Sequence, residues 1–438
     1  MEKVRNKFPW LSLFALAFGY AAAYNPPYIR YVLYDSMIEA MGCTNVQLAF
    51  LTTFTYIIGY CNTIFGGWVA DKFSTKKILV ISLLGNFPLV LLSNMFVSTY
   101  WIQLVAWGGF GFTTGFAFWP AILKAVRVVG GSEQSTTYGI FESAQGVIAS
   151  IGNMIALAIF ARFVDHVWGY RAAHMSMGVL CVLAAIMVAV FYKDEKKVPA
   201  AASEMTEEEK KKAEEEKFHI RDTIVLLKNP GLWMVAFTVA GVYGLYVCQT
   251  YMTPYFTGVL GAALTLAGFF AIMRDGGIKI ISGPLGGTIA KKIGSPALLN
   301  SVCLCICAVM IFIISRLQVG SPNIVAIAIA FVLLNSFVLC MAKATMWATM
   351  DEAHLPLKVT GTAVVIVSMI GVKLTDSILP VINGWLLDTF ADDLHKAYGY
   401  YFTILICLAL VGSAAAFLLY LRGKKFKKQE TEKKTSAI

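Results

Sequence analysis

Arg274 and Lys373 each stand about midway along a long apolar stretch, and a charge there demands a reason. A Lys or Arg at the centre of a membrane helix costs roughly 2.5–3.5 kcal/mol on insertion scales. It needs a paired acid, a wet cavity or a bound anion. A guanidinium offers a bidentate fork to a carboxylate, sulfonate or phosphate, and an ammonium adds a compact second charge. Both residues are therefore candidate ligands for a small anion. Each has acids nearby. Asp275 can pair with Lys279 four residues on, while Arg274 lies about 100° round a helix from Asp275, outside that pair. Asp376, three residues beyond Lys373, is placed to neutralise it.

Other residues add to the inventory. Arg30 follows Asn25-Pro26-Pro27. Proline removes a backbone donor and bends a helix, so a broken helix would let Arg30 reach an interior polar pathway. If the helix simply ends there, Arg30 snorkels outward. Glu142 lies about one turn inside another apolar run, where a buried carboxylate either couples proton entry to transport or pairs with Lys124 or Arg127. Tyr24, Tyr28, Tyr60, Trp119, Tyr246 and Tyr251 are placed to line a cavity or to pack. Cys303, Cys305 and Cys307, spaced by two, scatter over a helix, and none of the nine cysteines pairs with a His at zinc spacing. The dispersed histidines form no nucleophile–base set, and there is no nucleotide-binding loop. Neither an enzyme, a metal nor a cofactor is expected.

The elements that hold these residues are membrane helices. The chain has 438 residues, 58% hydrophobic and only 14% charged, with a mean hydropathy of +0.68. A soluble surface needs about 25% charge. Apolar runs of helix-spanning length fall at 8–33, 47–70, 78–97, 99–122, 138–163 and 171–192, then at 231–257, 260–287, 297–316, 322–345, 359–386 and 398–421. The runs are continuous rather than alternating, which favours helices over a barrel. The first reads as a retained helix, not a signal peptide. With both termini cytoplasmic, all but eight of the 36 Lys and Arg residues lie in cytoplasmic tails and loops. That bias accounts for the net charge of +10 without nucleic acid. The basic tail can also meet anionic lipid.

The chain divides into a six-helix half over 1–192, a cytoplasmic linker over 193–229, a second six-helix half over 230–421 and a basic tail over 422–438. In the linker, Thr206 with Glu209 fits a capping box, the Glu/Lys run suits a solvated helix, and 218–227 suits an amphipathic segment on the membrane surface. The halves repeat each other. Gly67-Trp-Val-Ala-Asp71-Lys72-Phe-Ser74-Thr-Lys76-Lys77 follows the second run, and Gly287-Thr-Ile-Ala-Lys291-Lys292-Ile-Gly294 stands at the matching place in the second half. Ser143 and Gly146 likewise recur as Ser368 and Gly371.

The Gly67–Lys77 segment resembles the loop 2–3 motif of the major facilitator superfamily, with Ser74 in place of the usual second Gly. The resemblance implies an all-α fold of twelve transmembrane helices in two halves, alternating access, and action as a monomer. It makes Asp71 a latch at the start of a helix in the other half, a favourable place for a carboxylate. Gly67, Lys72, Lys76 and Lys77 share that gating motif. Lys291 replaces the acid in the second copy, so the latch is one-sided. Basic residues at Arg274 and Lys373 look like the dianion ligands of the oxalate:formate antiporter. Phe18-Gly-Tyr-Ala, Tyr28-Ile-Arg30, Trp119-Pro120, Lys124, Gly139-Ile-Phe-Glu142-Ser-Ala-Gln145 and Gly361-Thr-Ala are similar to the organophosphate:phosphate antiporters. That likeness sets Arg30 near a phosphate-binding position and Gln145 where a binding-site His can stand. Tyr246 stands where the branch has its second arginine.

The expected function is a secondary carrier of a small organic anion in the cytoplasmic membrane, with a proton or counter-anion as the coupling partner. An exporter of amphipathic or cationic compounds is the rival within transport; it would want acids at the midplane. A transporter-like sensor is the rival from another class.

Overall fold

The computed structural model describes residues 10–130, 134–194, 226–317, 323–354 and 360–435, and the regular elements in them are all helical. The Thr206–Glu209 capping box and the Glu/Lys run lie outside the described residues, and the surface helix over 218–227 enters them only at 226. Among the described residues, most of each apolar run is helical. Among the described residues, nine helices are long and apolar enough to cross a membrane.

Packing divides the chain into two units. The first is Met1–Lys196 with Thr250–Ile280, and the second is Lys197–Gln249 with Ile281–Ile438. Thr250–Ile280 thus belongs with the first unit, although the sequence pattern opens the second half at 230.

The first unit holds α1 (Trp10–Tyr28), α2 (Tyr34–Met41), α3 (Asn45–Lys72), α4 (Thr75–Met95), α5 (Tyr100–Gly115), α6 (Phe118–Gly130), α7 (Gln134–Phe160) and α8 (His166–Phe191). Local chemistry starts several of them. Thr44 and Gln47 make a reciprocal capping box at α3, and Asp165 accepts from the backbone N–H groups of Val167 and Trp168 at α8. Helices α3 and α5 approach closely: a Cβ on Gly115 would sit 2.3 Å from Gly59 Cα, so position 115 needs glycine.

Helix α1 does not break at its prolines. It runs through Pro26 and Pro27 and only then tightens into a 3-10 turn, Ile29–Tyr31. The prolines deprive the carbonyls of Ala22 and Ala23 of their i+4 donors. The thiol of Cys181 donates to Ala22 O at 3.1 Å, and the Asn86 amide donates to Ala23 O at 3.1 Å. Neighbouring helices therefore satisfy what the prolines free, as a membrane interior requires. Asn86→Leu should leave Ala23 O bare and lower stability by about 1–3 kcal/mol. The check is the thermal midpoint in detergent. Adding Pro27→Leu, which restores the missing N–H, should recover much of the loss; no recovery would refute this account of Asn86.

Beyond Pro254 the first unit continues through a π-helical turn, Tyr255–Val259, to α9 (Leu264–Ile272) and a second π-turn, Met273–Gly277. The second unit holds α10 (Pro230–Cys248), most of α11 (Ile278–Ile293), α12 (Pro296–Ser315), α13 (Ile324–Thr345), α14 (Thr360–Ser368), a π-turn at Met369–Lys373, α15 (Leu374–Thr389) and α16 (Leu394–Thr435). Buried polar pairs join its helices: Asn300 donates to Thr345 Oγ1 at 2.9 Å, and Ser301 and Ser413 exchange hydrogen bonds. Cys303 and Cys307 are buried while Cys305 is exposed, the scatter their spacing predicts.

Candidate functional site

The first unit collects its polar groups along α1. Tyr20, Tyr24, Tyr28 and Tyr31 follow one another at spacings of four, four and three, the spacing of one helix face. Tyr20 packs on Trp119 of α6, and Tyr28 and Tyr56 share a hydrogen bond of 3.0 Å. Arg30 caps this stripe. Its guanidinium donates to Thr52 Oγ1 and, at 3.4 Å, to the Tyr31 hydroxyl, and lies 5.0 Å from the Tyr31 ring centroid. At 4% exposure Arg30 is buried, not snorkelling.

Arg274 and Asp275 sit on the second π-turn. The Arg274 fork engages Asp275 twice, Nε to Oδ1 at 3.2 Å and Nη2 to Oδ2 at 3.4 Å. This corrects the helical-wheel expectation that set Arg274 apart from Asp275. A π-turn places more residues on one circuit, so neighbours lie closer in angle than in an α-helix. Arg274 is 1% exposed. The turn presses on α7, because a Cβ on Gly276 would fall 1.6 Å from Ser150 Oγ.

Glu142 is also corrected. It is exposed, because Phe141 and Gln145 take the buried side of that turn of α7. The Gln145 amide donates to the Glu142 carboxylate, so the expected ligand and the expected coupling acid form one pair.

The loop between the first two apolar runs carries a further acid, Asp35 on α2. Thr257 on the first π-turn donates to Asp35 Oδ2, and Thr253 donates to Tyr31 O at 2.9 Å. Burial pushes the Asp35 carboxyl above its ordinary range, and the Thr257 hydrogen bond offsets part of the rise. The folded chain therefore holds that proton more tightly than the unfolded chain. The resulting stabilisation is full at low pH and is lost as pH rises through the raised value. Asp35→Asn should match wild type in thermal midpoint near pH 4 and gain on it towards about pH 8. A difference independent of pH would refute this.

At the loop 2–3 motif, Ser74 caps α4, donates to Asp194 Oδ2 and accepts from Lys77 N–H at 3.2 Å, while Lys76 N–H donates to Asp194 Oδ1 at 2.9 Å. The Lys72 ammonium lies 4.8 Å from the Trp68 ring centroid. The surroundings of Gly67 and the side chain of Asp71 lie outside what is described. Lys124 donates to Ala70 O at 3.2 Å, tying α6 to the motif. The second unit repeats the acid cap: Ser295 donates to Glu352 Oε2 and Ala297 N–H to Oε1, both at 2.7 Å. Sequence pattern missed both acids, since each reaches its cap from a distant segment.

The second unit has a polar cluster of its own. Lys343 of α13 sets its ammonium 3.3 Å from the Tyr246 ring centroid and 6.0 Å from that of Tyr243. The Tyr243 hydroxyl donates to Asp376 Oδ2 at 3.2 Å, and Asp376 is 1% exposed. Lys373, on the third π-turn, lies three residues before it and is half-buried. Tyr243, Tyr246 and Asp376 lie close to the middle of the spans Pro230–Val259 and Ala363–Thr389. Lys343 stands near the C-terminal end of the apolar run 322–345, where sequence reasoning did not single it out. The helix continues as a 3-10 stretch, Met346–Ala353, and the span Ile324–Ala353 carries Lys343 inward.

The sequence pattern of the Major Facilitator Superfamily matches residues 10–374, most of the chain. The chain belongs to that superfamily. Among relatives similar in sequence are two from Escherichia coli, the inner membrane proteins YqcE and YihN. YqcE is 25% identical over 94% of each chain, and YihN is 27% identical over 97% of this chain and 98% of its own. A third, the probable sulfoacetate transporter SauU of Cupriavidus necator, is 26% identical over 87% of this chain and 86% of its own. Solved superfamily structures share the fold. An inward-facing bacterial homolog of the human lysosomal transporter Spinster has a TM-score of 0.71 at 14% identity, covering 96% of this chain and 98% of its own. The D-xylose–proton symporter has a TM-score of 0.66 at 16% identity, with 94% and 95% covered. This superfamily member is a multi-pass membrane transporter, and its helices are the transport scaffold.

Proposed function

We propose that this transporter is a secondary carrier of a small organic anion, a carboxylate, sulfonate or phosphate ester, in the cytoplasmic membrane with both termini inside. The observation that carries the reading is two buried guanidinium groups, Arg30 on the 3-10 turn that follows α1 and Arg274 on the second π-turn. Buried arginines in hydrocarbon mark an anion path or a structural pair, and two of the five N–H donors of Arg274 are used by Asp275. The relative named as a probable sulfoacetate transporter supports an anionic substrate. In this reading Arg274, Lys373, Arg30, Gln145 and Tyr246 bind substrate, joined by Lys343. Gly67, Asp71, Lys72, Lys76 and Lys77 form the gate.

The test is thermal stabilisation of detergent-purified protein by acetate, malonate, sulfoacetate and glycerol 3-phosphate, with tetraphenylphosphonium as the cationic control. Stabilisation by one or more anions supports the carrier. Stabilisation by the cation alone would replace it with the exporter. Asp71→Asn is expected to keep anion binding and change the balance of inward- and outward-facing states. Unchanged cysteine accessibility on both membrane sides and unchanged flux would remove Asp71 from the gate.

A further inference from the structure

We infer that Thr52 is a positioning residue of the first unit: its hydroxyl fixes the direction in which the Arg30 guanidinium meets a carboxylate or sulfonate. The inference rests on the anion-carrier reading and adds to it the group that orients one of its ligands.

Arg30 and Arg274 are both buried, but they are held in different ways. Asp275 occupies two donors of the Arg274 fork. Arg30 has no such acid. Among the described residues, the titratable groups within electrostatic reach of Arg30 are the phenols of Tyr31, Tyr56 and Tyr28, with no carboxylate among them. Hydroxyls and ring faces hold it instead. Nη1 donates to Thr52 Oγ1, and Nη2 donates to the Tyr31 hydroxyl at 3.4 Å. The guanidinium carbon lies 5.5 Å from the Tyr28 ring centroid and 5.0 Å from that of Tyr31. Three of its five N–H donors are left. A buried guanidinium held only by neutral groups keeps its charge open to an anion.

The local fold explains why Thr52 sets the direction. The 3-10 turn Ile29–Tyr31 tightens the chain after α1 and brings Arg30 against α3. There Thr52 and Tyr56 stand four residues apart, on one helix face, and that face meets Arg30 and Tyr28. The Thr52 hydroxyl donates its own proton to Leu48 O, one turn back, at 3.2 Å. Its rotor is therefore fixed, and the lone pair it has left is an acceptor aimed at Nη1. Thr52 is 2% exposed and Arg30 4%, so bulk water does not compete for the bond. A neutral acceptor suits this task. A carboxylate in its place would pair with the guanidinium and compete with the substrate, whereas a hydroxyl orients the fork and leaves the charge unspent. Arginine is a long, rotamer-rich side chain, and ordering such a side chain at the moment of binding costs affinity. Thr52 removes that ordering step before the anion arrives.

Isothermal titration with acetate, malonate, sulfoacetate and glycerol 3-phosphate tests the assignment. Thr52→Val keeps the bulk of the side chain and removes the acceptor. It should weaken anion binding about three- to tenfold, the effect of ordering one freed side chain. Thr52→Ser keeps the hydroxyl and loses the methyl group, and it should bind like wild type; a loss of packing would give the opposite order. Thr52→Ala takes the place of Thr52→Val if that variant does not fold. Arg30→Lys keeps the charge without a fork to aim, so adding Thr52→Val to it should bring no further loss. Wild-type affinity in Thr52→Val, or a loss that Thr52→Ser shares, overturns the inference while the anion reading stands. An equal loss in the Arg30→Lys background also overturns it and makes Thr52 a direct ligand. If wild type binds none of these anions, the anion reading itself fails and the inference falls with it.

Discussion

Arg274→Gln is expected to lower anion affinity at least a hundredfold, and pairing it with Asp275→Asn should separate binding from stability. Arg274 is 1% exposed, as deeply buried as Asp376, and its fork holds Asp275 at 3.2 and 3.4 Å. Losing one partner of a buried pair costs about 3–5 kcal/mol. Asp275 keeps some exposure, 23% of its side chain, so the loss of stability should lie at or below the lower end of that range. The double variant Arg274→Gln/Asp275→Asn removes both charges and should return the thermal midpoint towards wild type. If Arg274 only neutralises Asp275, the double variant also restores anion binding. If Arg274 is a ligand, stability returns and binding does not, because hydrogen bonds to a charged group are worth about 1.5–3 kcal/mol and a bidentate fork supplies two. Arg274→Lys should bind weakly, since an ammonium cannot reproduce the fork.

The helical architecture was legible because it rests on composition alone: twenty apolar residues in a row have few uses other than spanning hydrocarbon. The prolines of α1 were legible as a perturbation but not as a tolerated one. Their consequence depends on Asn86 and Cys181, which stand 63 and 159 residues away in sequence from the carbonyls they satisfy. The same distance hid Asp194, 120 residues from Ser74, and Glu352, 57 residues from Ser295. Caps made by local residues, such as Thr44 with Gln47, carry a sequence signature. Caps made by a distant carboxylate carry none.

The site was legible in its residue types and not in its pairings. A helical wheel assumes a constant angle between neighbours, and both Arg274 and Lys373 stand on π-turns where that angle changes. Such turns recur at functional sites, and here they occur at the two residues singled out for their charge. The burial expected of Glu142 was misjudged for the complementary reason. A run of apolar residues tells how deep a residue lies along a helix, but one rotation step decides between the packed side, taken by Phe141 and Gln145, and the open one.

Lys343→Gln should weaken anion binding by about ten- to a hundredfold, the effect of one charge-assisted hydrogen bond. The ammonium is positioned by Tyr246, with its centre 3.3 Å from the ring centroid, an interaction worth about 0.5–2 kcal/mol. The hydroxyl of Tyr246 is not needed for that contact, so Tyr246→Phe should keep Lys343 in place and bind almost normally. Tyr246→Leu removes the ring face, frees the lysine's rotamers and should cost a factor of about three to thirty. Isothermal titration of the three variants orders them. If Lys343→Gln binds like wild type while Tyr246→Leu does not, the ring packs against substrate directly and the lysine serves only the fold. If both weaken binding and Tyr246→Phe does not, the ring acts by holding the charge.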